Sequence, residues 1–211
     1  MKLVVLVSGN GSNLQAILDA IKDGRLTSAV ELVISNRQDA FALERARQNR
    51  IPFLAFPSHA SLPRETYDAI LARAALAFEP DYILLLGWMK ILTSIFIDNF
   101  PGRIINLHPA LPGTFPGTHA IERAWAAYQA GTIHASGVMV HYVLDEGVDS
   151  GLVISKKEIL MTGIKTFEEF ERITHETEHE LVVATLQELE KTGTSFKVRR
   201  YEHEKRADFG V

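Results

Sequence analysis

The sequence contains no cysteine. That absence removes disulfides, zinc–thiolate sites, iron–sulfur clusters and cysteine nucleophiles together, and it excludes a secreted disulfide scaffold while permitting a reducing compartment. Positive charge is also scarce: 22 Lys+Arg stand against 26 Asp+Glu, a formal net charge of -4 over 211 residues. Electrostatic binding of nucleic acid needs a basic surface able to neutralise several phosphates, so no nucleic-acid partner is expected. Long apolar runs are missing too. The start, Met1 to Gly9, is apolar only over a strand's length, too short for a spanning helix and without a signal-peptide cleavage pattern, so no membrane partner is expected. Repeats, low-complexity segments and an interdomain linker are likewise absent. What is present is a chain with 46% hydrophobic residues. A chain of this size buries roughly 70% of its unfolded surface, enough for one good core, so one soluble domain, or one domain with a tail, is expected.

Apolar runs alternate with helix-period stretches from the start. Leu3–Val7, Val30–Ser35, Pro52–Phe56, Tyr82–Leu86, Arg103–His108, Gly137–Val143 and Leu152–Ile159 read as strands. Helices are predicted where Leu14, Ile17, Leu18 and Ile21 recur, over Ala40–Asn49, Pro63–Phe78 and Ala120–Ala130, and from a Thr166/Glu169 capping box to Leu189. Phe196–Tyr201 reads as a last edge strand and Glu202–Arg206 as a solvated end. Strand–helix alternation of this kind predicts an α/β fold with a mostly parallel sheet.

Chemistry first appears in the turn after the first strand. Gly9-x-Gly11 resembles the start of a dinucleotide fingerprint, but Leu14 holds the third glycine position and Asn36-Arg37, not an acid, ends the second strand. NAD is therefore not expected, and the lack of Gly-Lys-Ser/Thr excludes a Walker A loop. Gly11, Ser12 and Asn13 still offer backbone N–H groups at a helix N-terminus, where the helix dipole favours a phosphate; an ordinary glycine turn capped by Ser12 or Asn13 is the alternative. The second signal is Asn106-Leu107-His108-Pro109. Residues i and i+2 of a strand point the same way, so Asn106 and His108 would project together from a strand end, where open α/β sheets place their ligands. An amide donor beside an imidazole suits a developing oxyanion; a capping Asn with a structural His is the alternative.

The stretch from Asp145 to Gly151 carries the carboxylates Asp145, Glu146 and Asp149 among glycines. A carboxylate near an imidazole raises its pKa and keeps it protonated, although spacing alone does not bring this stretch to His108, and a solvated turn is the other reading. The acidic spacing of a calcium hand is absent. His175-Glu176-Thr177-Glu178-His179 matches the H-E-x-x-H zinc-peptidase signature, but no third ligand follows in the usual place. These charged residues more simply form the wet or ligand-facing side of an amphipathic helix whose other side carries Phe167, Phe170, Ile173 and Leu181. No metal is expected.

Taken in order, Val5 to Gln15, Ile34-Ser35-Asn36-Arg37, Gly87-Trp88-Met89-Lys90-Ile91-Leu92, Ile105-Asn106-Leu107-His108-Pro109 and Asp145 to Gly151 become specific. From Met1 to about Leu189 the chain resembles the phosphoribosylglycinamide formyltransferases (glycinamide ribonucleotide transformylases) of the folate-dependent formyltransferase family. The Asn-x-His-Pro element is common to that family, and the Ser-Gly-x-Gly-Ser-Asn-Leu start narrows it. The resemblance implies a Rossmann-like, doubly wound sheet with an antiparallel C-terminal strand and a long C-terminal helix. It implies one domain over 1–211, with a nucleotide-binding half (1–100), a catalytic and folate-covering half (101–195) and a tail (196–211).

It also implies a cytoplasmic enzyme of purine biosynthesis, monomer or homodimer, that moves the formyl group of 10-formyltetrahydrofolate to the amine of 5-phosphoribosylglycinamide. Asn106, His108 and Asp149 would be the catalytic set. Gly11, Ser12 and Asn13 would hold the phosphate, and Glu178 the ribose. Met89, Lys90, Ile91 and Leu92, with Asn106, would line the folate pocket, and Arg64 would lie near the folate's glutamate tail. Two departures stand out: the family's His-Pro-Ser-Leu-Leu-Pro reads His108-Pro109-Ala110-Leu111-Pro112-Gly113 here, and the first turn of the long helix is shifted around Arg172-Ile173-Thr174. A tRNA formyltransferase would need a further C-terminal domain and a formyltetrahydrofolate hydrolase an N-terminal one, and a chain starting on its first strand is expected to be neither. A non-catalytic nucleotide-binding module is the rival outside the family, followed by the zinc peptidase.

Overall fold

The computed structural model describes residues 1–59 and 61–192; the predicted strand at Phe196–Tyr201 and the charged end at Glu202–Arg206 lie outside the described residues. Along the chain run β1 (Lys2–Val7), α1 (Ser12–Lys22), β2 (Ala29–Ser35), α2 (Phe41–Gln48), β3 (Phe53–Ala55), α3 (Arg64–Leu76) and β4 (Tyr82–Leu85). They continue as α4 (Ser94–Ile97), β5 (Ile104–His108), α5 (Ala120–Gln129), β6 (Ala135–Tyr142), β7 (Val153–Leu160) and α6 (Phe167–Thr192).

The composition of β1 dictates its place. Leu3, Val4, Val5 and Leu6 are all 0% exposed. Leu3, Val5 and Val7 face one hydrophobic cluster, whereas Val4 and Leu6 face another. Only a strand covered on both faces can use apolar residues at consecutive positions, each worth roughly 1.5–3 kcal/mol when buried. Leu14 and Ile17 of α1, Ala42 and Ala46 of α2, Ile121 of α5 and Phe170 and Leu186 of α6 close the first cluster. Tyr67 and Leu71 of α3 and Phe96 of α4 close the second.

The strand order is β3-β2-β1-β4-β5-β6-β7. The pairs from β3 to β5 are parallel; β6 runs antiparallel to β5, and β7 antiparallel to β6. The chain moves outward from β1 to β3 and returns on the other side as β4, so the topological switch point lies between the carboxyl ends of β1 and β4. Ligands of open α/β sheets collect there.

Three details differ from the sequence expectation. A short helix, α4, occupies one turn of an apolar stretch too brief to display a 3.6-residue period. The long helix runs on to Thr192. Its capping box is offset by a residue: Thr166 Oγ1 accepts from the Glu169 amide at 3.2 Å, but Glu169 Oε2 accepts from Lys165, not Thr166, at 3.1 Å.

Candidate active site

At the end of β5, Asn106 and His108 leave the sheet on one side, as the two-residue period requires. The loop after β6 brings Asp149 to them. Asn106 Nδ2 donates to Asp149 Oδ1 at 2.8 Å, and His108 Nδ1 lies 3.3 Å from Asp149 Oδ2. The Gly117 amide donates to Asp149 Oδ2 at 2.7 Å. The other ring nitrogen of His108, Nε2, faces the Phe115 carbonyl at 3.1 Å. Sequence spacing left the meeting of Asp149 and His108 open; here they meet, with Asp149 retaining 10% side-chain exposure and His108 6%.

Asp149 adopts φ 50, the left-handed region that a residue with a Cβ seldom occupies. Strain of this kind persists only where surrounding contacts hold it, and the carboxylate's bonds to Asn106 and Gly117 do so. Two positions on, Gly151 is obligatory: a Cβ there would overlap the Tyr142 carbonyl oxygen and approach His141 Nδ1.

Burial pulls the His108 pKa below the ordinary imidazole value; the Asp149 carboxylate and the Phe115 carbonyl push it up without cancelling that effect. This corrects the expectation of an imidazole held cationic at rest. Desolvation outweighs the partner, so the resting ring is neutral at neutral pH. Both its nitrogens nevertheless face acceptors, a set that only the imidazolium fills with two donors. Burial also opposes the charge of Asp149, but the His141 ring, the Gly117 amide and His108 overcome it and hold the carboxyl below the usual aspartate range.

His141 is one of two residues that sequence reasoning missed. It sits on β6 directly opposite Asn106, is 1% exposed, and places Nε2 at 3.1 Å from Asn106 Nδ2 and 3.5 Å from Asp149 Oδ1. Its Nδ1 faces the Tyr142 carbonyl at 2.9 Å. The available signal was a polar residue inside an apolar strand, Val138-Met139-Val140-His141-Tyr142. Arg123 of α5 was missed as well: its Nη2 donates to the Phe115 and Pro116 carbonyls at 2.7 and 2.6 Å, tethering the loop that contacts His108.

On the other side of the switch point lies the turn after β1. Gly11 precedes α1 with φ 75, and among the described residues no side chain caps the helix, which leaves the N–H groups of its first turn without a side-chain partner there. A Cβ on Gly11 would stand 2.6 Å from Ala42 Cβ, so only glycine allows α2 this close. Ser12 opens α1, and Asn13 Oδ1 is buried without a partner among the described residues. Ser8, 4% exposed, ties this turn to the next loop: its amide donates to the Gly87 carbonyl at 3.1 Å and its Oγ accepts from the Met89 amide at 2.9 Å.

Within that loop the predicted folate residues divide. Met89 (63% exposed) and Ile91 (50%) present apolar surface to the outside, and Lys90 Nζ lies 5.4 Å from the Tyr67 ring centre. Leu92, at 3%, belongs to the second core cluster, so its side chain does not line an open pocket as expected. Arg64 donates to the Ile91 carbonyl at 2.9 Å and lies 3.8 Å from Glu146, whose carboxylate also accepts from the Ser94 amide at 2.9 Å.

Glu178 is buried on α6 and accepts from His175 Nδ1 at 2.7 Å. That bond, above all, raises the His175 pKa. Two of the three H-E-x-x-H residues are otherwise engaged, since Glu176 pairs with Arg172 at 2.8 Å and His175 is held by Glu178, while His179 Nε2 is buried with no partner among the described residues. Among the described residues no group of three His, Asp or Glu is placed to hold a metal ion. His179 shares with Ser12, Gln15, Arg25 and Arg45 a cavity of about 380 Å³ between α1 and α6.

A doubly wound sheet with a His–Asp–Asn cluster at its carboxyl edge, flanked by a glycine turn that opens a helix and by an apolar loop, fits a group-transfer enzyme of the α/β class. A family model described as formyl transferase matches residues 1–186, and the chain belongs to that family. It is similar to the phosphoribosylglycinamide formyltransferase of Dictyostelium discoideum, 42% identical over 87% of this chain and 95% of that protein. The protein of the same name from Schizosaccharomyces pombe is 42% identical over 89% and 96%. Among solved structures, the phosphoribosylglycinamide formyltransferase from Bacillus halodurans superposes with a TM-score of 0.83 at 32% identity, over 90% of this chain and 95% of that one.

Proposed function

We propose that this enzyme transfers the formyl group of 10-formyltetrahydrofolate to the amine of 5-phosphoribosylglycinamide, a step of purine biosynthesis. The observation that carries the reading is the buried Asn106–His108–Asp149 cluster, set between the glycine turn that opens α1 and an apolar loop. The phosphate lies on the N–H groups of Gly11, Ser12 and Asn13, where the α1 dipole attracts it. Glu178 faces the ribose. The folate lies against Met89, Lys90, Ile91 and the Leu92 main chain, beside Asn106, with Arg64 toward its glutamate tail. The phosphate turn thus lies in residues 1–100 and the catalytic cluster in residues 101–195, with the folate loop (Met89 to Leu92) in the first half and Glu178 in the second. Among the described residues no helix is long and apolar enough to cross a membrane, and a cytoplasmic setting belongs to the same reading.

In the reaction the glycinamide nitrogen attacks the formyl carbon. A carbon–nitrogen bond forms and the carbonyl oxygen becomes an oxyanion. Neutral His108 takes the proton from the attacking nitrogen, and the resulting imidazolium is held by Asp149 and the Phe115 carbonyl. As the carboxylate turns toward that new charge, an Asn106 N–H is released to the oxyanion; donors of this kind are worth about 2.7–4 kcal/mol. Collapse breaks the bond to the folate nitrogen, His108 returns its proton there, and tetrahydrofolate and the formamide leave.

A spectroscopic assay with both substrates tests this. Folate product only when the ribonucleotide is present, and a loss of turnover by about 10²-fold or more in Asn106→Ala and His108→Ala with nucleotide binding retained, are expected. Product without the nucleotide would mean hydrolysis, and full activity of either variant would remove that residue from the mechanism.

A further inference from the structure

We infer that Arg45 is a positioning residue for the phosphate turn, a role resting on the reading that Gly11–Asn13 holds the phosphate. The guanidinium of Arg45, on α2, donates through Nε to the Asn10 carbonyl at 2.9 Å and through Nη2 to Asn10 Oδ1 at 2.8 Å. Its third arm, Nη1, donates to Gln15 Oε1 at 3.0 Å. One rigid planar fork therefore grips the residue before Gly11 and a residue in the first turn of α1, spanning the segment that meets the ligand. The Phe41 ring supports the fork from below, 4.8 Å from the guanidinium carbon.

The rest of α2 reinforces the grip. The Ala42 amide donates to the Gly9 carbonyl at 3.2 Å, and Ala42 occupies the space that a side chain on Gly11 would need. Gly9-Asn10-Gly11 is by composition the most pliable segment near the site, because two of its three residues are glycine. Left loose, it would have to be ordered each time a phosphate binds, and that cost would weaken binding without touching the chemistry on β5. Arg45 orders it in advance. Its charge also faces the cavity that holds Ser12 and His179, but all three arms of its fork are already committed to protein acceptors.

The test compares 5-phosphoribosylglycinamide with its dephosphorylated riboside in the wild-type enzyme, Arg45→Met, Arg45→Lys and Gln15→Leu. Arg45→Met is expected to raise KM for the nucleotide about 10- to 100-fold, with kcat within about threefold of wild type, and to leave KM for the riboside nearly unchanged. A lysine keeps the charge but cannot reach three acceptors as a fork, so Arg45→Lys should remain close to Arg45→Met. Gln15→Leu removes one arm's partner and should raise the nucleotide KM more mildly; it decides the matter alone if Arg45→Met does not fold. Wild-type KM for the nucleotide in whichever variants fold, or full rescue by lysine, overturns the positioning role. A wild-type enzyme that uses riboside and nucleotide equally well overturns the phosphate reading itself.

Discussion

Replacing Asp149 by Asn removes one charge and leaves the shape of the site intact. Asn tolerates the left-handed backbone at φ 50, so the loop keeps its course. The amide group cannot make all of the carboxylate's hydrogen bonds, however. The two carboxylate oxygens accept from Asn106 Nδ2 at 2.8 Å and from the Gly117 amide at 2.7 Å, so the new NH2 faces a donor whichever way it turns. An imidazolium 3.3 Å from the carboxylate is attracted by roughly 5 kcal/mol at an effective dielectric of about 20. The variant's amide oxygen retains part of that, so a net loss of about 3–4 kcal/mol, or about 10²- to 10³-fold in kcat, is expected.

The pH dependence gives the sharper readout. In the proposed mechanism neutral His108 is the base, so kcat/KM is expected to fall on the acid side as the ring becomes protonated, with a midpoint below the ordinary imidazole value of about 6.5. Asp149 is among the groups that push this pKa up, so Asp149→Asn must move the acid limb to still lower pH while lowering the plateau. Stability follows the carboxylate. Because the folded pKa of Asp149 is depressed, its contribution is present above the unfolded value of about 3.9 and is lost as pH falls through the folded one. The melting-temperature gap between wild type and variant should therefore be open at neutral pH and close in acid. An acid limb that stays in place or moves to higher pH, or a kcat within about threefold of wild type, refutes the reasoning.

Gly151→Ala should displace the loop by forcing a Cβ onto the Tyr142 carbonyl, lowering kcat by about tenfold or more in steady-state assays, with loss of about 1–3 kcal/mol in denaturant unfolding. His141→Phe leaves Asn106 Nδ2 without its 3.1 Å partner and Asp149 without a neighbour that holds its carboxyl low. Its kcat should drop about 10-fold with both KM values nearly unchanged, in the same assay. Glu178→Gln keeps the helix packing but weakens the 2.7 Å bond to His175. An NMR titration should then show the His175 pKa falling back toward the ordinary value, and KM for the nucleotide should rise about 10-fold.

How much of this was legible beforehand follows from which contacts are local. The i, i+2 spacing of Asn106 and His108 fixes their common side of β5 from two letters of sequence, and the glycine turn at Gly9–Gly11 announces the N-terminus of α1. Asp149 and His141 obey no such rule. They reach Asn106 through the antiparallel register of β6 on β5, which pairs Asn106 with His141, and through a loop whose return depends on Gly151 fitting under Tyr142. The same distinction explains the one electrostatic expectation that failed. A carboxylate beside an imidazole is a pairwise idea available to sequence reasoning, whereas the desolvation that overrides it at His108 is a property of everything packed around the pair. That packing suits the ring to the proposed step: a base that is neutral when the amine arrives, beside a carboxylate held below the usual aspartate range and able to hold the proton it takes.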